Sequence, residues 1–130
     1  MNKAVIQTEF STYHYEAAIA AEHLHASSFE ATNWDKILMW YERLSDLQAS
    51  PFTLLNMAMV QLQRKEYKLA NELLKQVDYK ELEQRSYLYF GAWAEYFLKI
   101  DQIEKAIENI DKALESVSYT HLTLPTKRIV

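Results

Sequence analysis

The sequence predicts an all-α protein of about six helices in antiparallel pairs. Three observations predict it. Only one Gly and two Pro occur in 130 residues, too few φ > 0 positions for the turns of β-sandwiches, small barrels or Gly-rich phosphate loops. Apolar residues recur at i, i+3, i+4 and i+7 through most of the chain, which is one face of a helix. Strong helix formers dominate whole stretches, as in EAAIAAEHLHA from Glu16 to Ala26.

The first helix is that Ala-rich stretch, with Ser11 or Thr12 as its N-cap. Residues 1–10, MNKAVIQTEF, have helical character but neither a cap nor a packing partner, so they read as the truncated end of a preceding helix. An insertion over Ser27 to Ala31 follows. The second helix starts at Thr32, where Thr32-Asn33-Trp34-Asp35 resembles a capping box, and it runs to about Gln48. Trp34, Ile37, Leu38 and Tyr41 share one of its faces. Ser50 caps the third helix, with Pro51 at the first helical position, where its missing N–H costs nothing. Leu54, Met57, Ala58 and Leu62 form its stripe. After the turn Arg64-Lys65-Glu66, a fourth helix to Val77 carries Ala70, Leu73, Leu74 and Val77. The polar segment Asp78 to Glu81 is a connection. A fifth helix from Leu82 to Leu98 turns Phe90, Trp93, Ala94 and Phe97 inward. Asp101 caps the sixth, with Glu104 at the box position and a stripe of Ile103, Ala106, Ile107, Ile110, Ala113 and Leu114. After Leu114 the periodicity stops. The expected buried set is Trp34, Tyr41, Leu54, Ala58, Ala70, Leu74, Phe90, Ala94, Phe97, Ala106 and Ile110.

The second, fourth and sixth helices repeat one another. Ile37, Ala70 and Ala106 hold the same place in each, 33 and 36 residues apart, and each is followed four residues on by a large residue, Tyr41, Leu74 and Ile110. Ala58 and Ala94 each stand 12 residues before the alanine of the partner helix. A period of about 34 residues with a small residue and then a bulky one is the tetratricopeptide pattern. Residues 11–116 are therefore expected to form tetratricopeptide-like pairs in a short right-handed solenoid. The closing Pro of that pattern is absent after Val77.

Residues 117–126, VSYTHLTLPT, resemble the translation of a sequencing-library adapter, so residues 117–130 are expected to be an artefactual tail without stable packing. Without Lys127 and Arg128 the basic count falls from 14 to 12 against 18 acidic residues, and the net charge from −4 to −6.

The residues offer little chemistry. There is no Cys, which excludes disulfides, thiol nucleophiles and Cys-ligated zinc. The apolar runs are far short of the ~18 residues of a membrane span, and the N-terminus has no signal-peptide core. His23 and His25 are two apart and point to different helix faces; His14 and His25 are eleven apart, too far to chelate one metal. The carboxylates Glu66, Glu72, Glu81, Glu83, Glu104 and Glu108 fall on polar faces. The motifs GxSxG, Walker and GxGxxG are missing. No catalytic, cofactor-binding or metal-ligating residue is assigned. Nine Tyr and three Trp recur at helical spacing, in Trp40-Tyr41 and in Tyr87-Leu88-Tyr89-Phe90. They serve core and inter-repeat packing or, alternatively, a peptide-binding stripe. The basic residues are scattered among acids, which suits no phosphate backbone.

Three runs carry a family resemblance. STYHYEAAIAAEH, ATNWDKILMWYERL and SPFTLLNMA resemble, in order and spacing, the tetratricopeptide-like C-terminal extension of bacterial extracytoplasmic-function sigma factors. The matching motifs lie at Ala17 to His23, Thr32 to Leu44 and Ser50 to Asn56. The resemblance continues more weakly to about Ser116. It implies a cytoplasmic role in transcription initiation, through contacts with the sigma factor's N-terminal domains, with core RNA polymerase or with another protein. The DNA-binding sigma domains are missing from these residues, so no direct nucleic-acid or membrane contact is implied. The other reading is a free-standing tetratricopeptide scaffold. In either case binding would use the groove lined by the first helix of each pair, with Gln61 and Tyr89 as candidate contact residues.

Overall fold

The computed structural model describes residues 3–27 and 31–121, and among them every regular element is helical. The elements are α1 (Lys3–His25), α2 (Trp34–Leu47), α3 (Pro51–Gln63), α4 (Tyr67–Gln76), a 3-10 segment (Tyr79–Arg85), α5 (Tyr87–Lys99) and α6 (Ile103–His121). Helices adjacent in sequence pack in pairs: α1 on α2, α3 on α4 and α5 on α6. The pairs are joined by α3, which also packs on α2, and by α5, which packs on α3 and α4. So α3 is the central helix. It buries Thr53, Leu55, Ala58, Val60, Gln61 and Leu62, more sides than the expected stripe of Leu54, Met57, Ala58 and Leu62.

Helix starts follow local capping chemistry, with corrections at α1, α2, α5 and α6. At α3 the expectation holds: Ser50 Oγ accepts from the Thr53 N–H at 3.1 Å, and Pro51 is the first helical residue. At α2 the cap is Asn33 rather than Thr32; its side chain accepts from the Lys36 N–H at 3.1 Å. Asn and Thr both cap, and the one whose oxygen reaches the third N–H onward wins. At α1, Ser11 and Thr12 are interior residues of one continuous helix from Lys3, so residues 3–10 do not form a separate helix end. Nothing between Lys3 and Glu16 breaks a helix, and Ser and Thr cost only tenths of a kcal/mol inside one, about 0.5 each. At α6, Asp101 is not the cap. The Ala106 N–H bonds the Gln102 carbonyl, one residue later.

Asp101 instead closes α5. It has φ 60°, its N–H bonds the Leu98 carbonyl at 3.2 Å, and the Gln102 N–H bonds the Phe97 carbonyl at 2.8 Å. That is a Schellman turn, which satisfies the orphan carbonyls of a helix end with one left-handed residue. The same turn closes α3: Lys65 has φ 65°, with Lys65 N–H to Leu62 at 3.1 Å and Glu66 N–H to Gln61 at 2.8 Å. Lys65 and Asp101 are 36 residues apart, the period of the repeat in this half of the chain.

The fifth helix starts at Tyr87, not Leu82. Asp78 caps a 3-10 segment by accepting from the Lys80 N–H at 3.1 Å, and Glu83 at φ 55°, ψ −118° interrupts that segment. Leu82 still reaches the core from it, joining Leu55, Ala58, Leu74, Val77 and Ala92 in one buried cluster. A second cluster joins α1, α2 and α3 through Ile19, Ile37, Leu38, Leu44 and Val60.

Of the expected buried set, Ala58, Ala70, Leu74, Ala94 and Ala106 are buried. Trp34, Tyr41, Leu54, Phe90 and Phe97 are half-buried. Ile110 is 41% exposed, because no described element packs on that side of α6. The helix continues seven residues past Leu114 to His121, since SVSYTH holds no Gly or Pro to stop it. The rest of the expected tail, 122–130, and most of the insertion, 28–30, lie outside the described residues.

Candidate functional site

Two concave surfaces collect polar or aromatic side chains. The first lies between α1 and α3, the first helices of two successive pairs, and has a volume of about 430 Å³. Thr12 and Glu16 of α1 form one wall, Phe52 and Asn56 of α3 the other, and Tyr41 and Leu44 of α2 the floor. The helix period places them there: Thr12 and Glu16 are four apart, as are Phe52 and Asn56, so each pair stacks on one face. Burial, and secondarily the Glu16 carboxylate, push the Tyr41 phenol above its ordinary pKa. Tyr41 therefore stays a neutral hydroxyl that can donate or accept at the floor of the cleft.

The second is an aromatic groove of about 510 Å³ between the 3-10 segment, α5 and α6. Tyr79 stacks on Tyr89 at 5.3 Å, Tyr89 meets Trp93 edge-on at 6.4 Å, and Trp93 stacks on Phe97 at 5.5 Å. Tyr89, Trp93 and Phe97 fall at i, i+4 and i+8 of α5, which makes the ladder continuous. Asn109 and Lys112 of α6 supply the polar rim. Such a wall presents large rigid apolar area at little conformational cost and leaves polar atoms at the edge.

The residues chosen from sequence are not brought together. Gln61 is 6% exposed, and its Oε1 accepts from Arg64 Nη1 at 2.7 Å, so it is a structural residue and not a binding one. Arg64 also bonds Asp35 at 2.6 Å, tying the end of α3 to the start of α2. Tyr89 does line a groove, though the aromatic one on the α6 side. Tyr87 and Leu88 beside it point to solvent. Trp40 lies away from the Tyr41 cleft, ringed by His14, Tyr15 and the Arg43 guanidinium, 5.2 Å above it. The sequence pattern does not mark Asn109 or Lys112 as site residues. Tyr79 had one signal, as the lone aromatic in a polar connection.

His14 packs edge-on to Trp40 and His23 edge-on to Trp34, at 6.1 and 5.8 Å. Among the described residues no group of three or more His, Asp or Glu could hold a metal ion. Glu66, Glu72, Glu81, Glu83, Glu104 and Glu108 are all exposed. No helix among the described residues is long and apolar enough to cross a membrane. No family model, curated protein or solved structure matches the chain.

Proposed function

We propose that residues 11–116 are a tetratricopeptide-like protein-interaction domain, the regulatory C-terminal extension of an extracytoplasmic-function sigma factor acting in the cytoplasm. The observation that carries this reading is the ordered set of three runs at Ala17–His23, Thr32–Leu44 and Ser50–Asn56. Their residues meet in space. Ile19 of the first run packs with Ile37, Leu38 and Leu44 of the second, and Ser50, Phe52, Thr53 and Asn56 of the third line one cleft with Ile19, Tyr41 and Leu44. Pairwise helix packing and the recurring buried alanines support the repeat architecture.

The partner in this reading is protein: the sigma N-terminal domains, core RNA polymerase or both. The cleft floored by Tyr41 and walled by Glu16 and Asn56 offers hydrogen-bonding groups to such a surface. Promoter DNA is an unsuitable direct partner, since phosphate contacts need clustered Lys and Arg to release counterions. The aromatic groove favours the second reading, a free-standing scaffold that binds a peptide.

A pull-down of the full chain with core polymerase and with sigma N-terminal domains, beside a gel shift on promoter DNA at physiological salt, separates these readings. Capture of either protein without a DNA shift is the expected result. Binding of DNA alone overturns both readings, and capture of neither protein overturns the sigma-factor one.

A further inference from the structure

The repeat shows how one helix pair receives the next helix. In the α3–α4 pair, Leu55, Ala58, Leu62, Leu74 and Val77 are all buried. The cluster built on Leu55, Ala58, Leu74 and Val77 is completed by α5, whose Tyr89, Ala92, Trp93 and Tyr96 pack there at i, i+3, i+4 and i+7. Moved on by 36 residues, the five positions become Gly91, Ala94, Leu98, Ile110 and Ala113. All five line one open groove between α5 and α6, with a volume of about 560 Å³. The socket is repeated and no described helix fills it.

The groove continues onto an exposed apolar ridge. Ile103 and Leu114 are each 59% exposed, Ile107 52% and Leu98 51%. At 100° per residue, the next positions round α6 from this ridge are Asp111, Glu104, Glu115 and Glu108. All four are exposed carboxylates. The lysines of α6 lie on the opposite side: Lys105 stands over Phe97 at 5.7 Å, and Lys112 rims the aromatic groove.

We propose that this face is the docking site for an amphipathic helix of a partner protein, apolar at i, i+3, i+4 and i+7, small at i+3, and basic along the edge that overhangs α6. The inference is independent of the transcriptional reading. The small residue follows from Ala92, which fills that place in the occupied socket. The basic edge follows from the four carboxylates, which repel an acidic helix and attract Lys or Arg. A second copy of the chain is a poor occupant. Antiparallel α6 helices would set one carboxylate row against the other, and the chain is net acidic.

The test is fluorescence anisotropy on the full chain with two labelled helical peptides. Both carry the Tyr-Ala-Trp-Tyr pattern of α5; one has a Lys/Arg edge and the other a Glu edge. The basic peptide is expected to bind about tenfold or more tighter than the acidic one, with the gap closing at high salt. Ile107→Glu should abolish binding of the basic peptide without changing the circular dichroism spectrum, since Ile107 is exposed. Glu104→Lys/Glu108→Lys should invert the preference between peptides. Leu24→Ser, at an exposed site on α1, is the control and should change nothing. Equal binding of both peptides, or wild-type binding by Ile107→Glu, overturns the proposal. So does a dimer in sedimentation that Ile107→Glu dissociates, because the second copy is then the occupant. A failed polymerase pull-down leaves these peptide measurements unaffected.

Discussion

The two left-handed turns make a quantitative prediction about stability. Lys65 and Asp101 hold φ 65° and φ 60° at the ends of α3 and α5, where Gly is the usual residue. A side chain in that conformation brings Cβ against the following carbonyl, which costs roughly 1–2 kcal/mol, less for Asp because it bonds its own backbone locally. Replacing Lys65 by Gly removes that strain. It also frees the unfolded chain, a loss of about 0.4–1 kcal/mol. The Lys65 side chain is exposed and makes no described contact that would be lost. The expected net gain for Lys65→Gly is therefore about 0.5–1 kcal/mol, and for Asp101→Gly about 0–0.5 kcal/mol. The helix ends are separate, so the double variant should be additive within about 0.5 kcal/mol. Urea unfolding of the full chain, followed by circular dichroism at 222 nm, measures this, with the m-value as a check that the surface exposed on unfolding is unchanged. Loss of stability in Lys65→Gly, or a larger gain at Asp101 than at Lys65, would refute the reasoning.

Three further outcomes are expected. Ala58→Leu should overpack the cluster around Leu55, Leu74 and Val77 and cost about 1–3 kcal/mol, whereas Ala94→Leu should cost less because it borders an open groove; thermal melts of the two compare them. Arg64→Ala should cost about 1–3 kcal/mol by leaving the buried Gln61 oxygen without its donor, while Asp35→Ala should cost under about 1 kcal/mol because Asp35 is solvent-exposed; urea titration separates the two. Tyr41 has a raised pKa when folded, so its stabilising contribution is present below the unfolded value near 10 and is lost as pH rises through the folded one. Tyr41→Phe should therefore flatten the alkaline fall in melting temperature, and an unchanged fall would show that Tyr41 does not contribute to it.

The helical stripes were legible because amphipathic periodicity records which face of a helix is apolar. Ile37, Ala58, Ala70, Leu74 and Ala106 were readable as core for that reason, and the alanines were readable as close-approach points. Helix boundaries were less legible because several residues can perform the same capping task. Thr32 and Asn33 compete for one N–H, Asp101 suits both a cap and a left-handed turn, and Ser11 and Thr12 are tolerated inside a helix. The 3-10 segment was hidden because a polar run says nothing about whether a single Leu82 reaches back to the core.

The candidate surfaces were harder to read, and Ile110 shows why. Its pattern is that of Leu74 36 residues earlier, Ala-x-x-x-large in both, yet Leu74 is fully buried and Ile110 is 41% exposed. Periodicity states what a helix can bury, and only the neighbouring elements decide what it does bury. The difference was nonetheless written beside the stripe. The positions that border it are Lys68 and Lys75 in α4, where α5 covers the socket, and Glu104 and Asp111 in α6, where the socket is open. Glu72 and Glu108 correspond and keep their sign, so the border changes from mixed in α4 to wholly acidic in α6, which calls for an occupant of different charge. Gln61 failed as a binding residue for the complementary reason. Arg64 stands three residues on, within reach on the same helix face, so that pair had to be read together before either side chain could be counted as free.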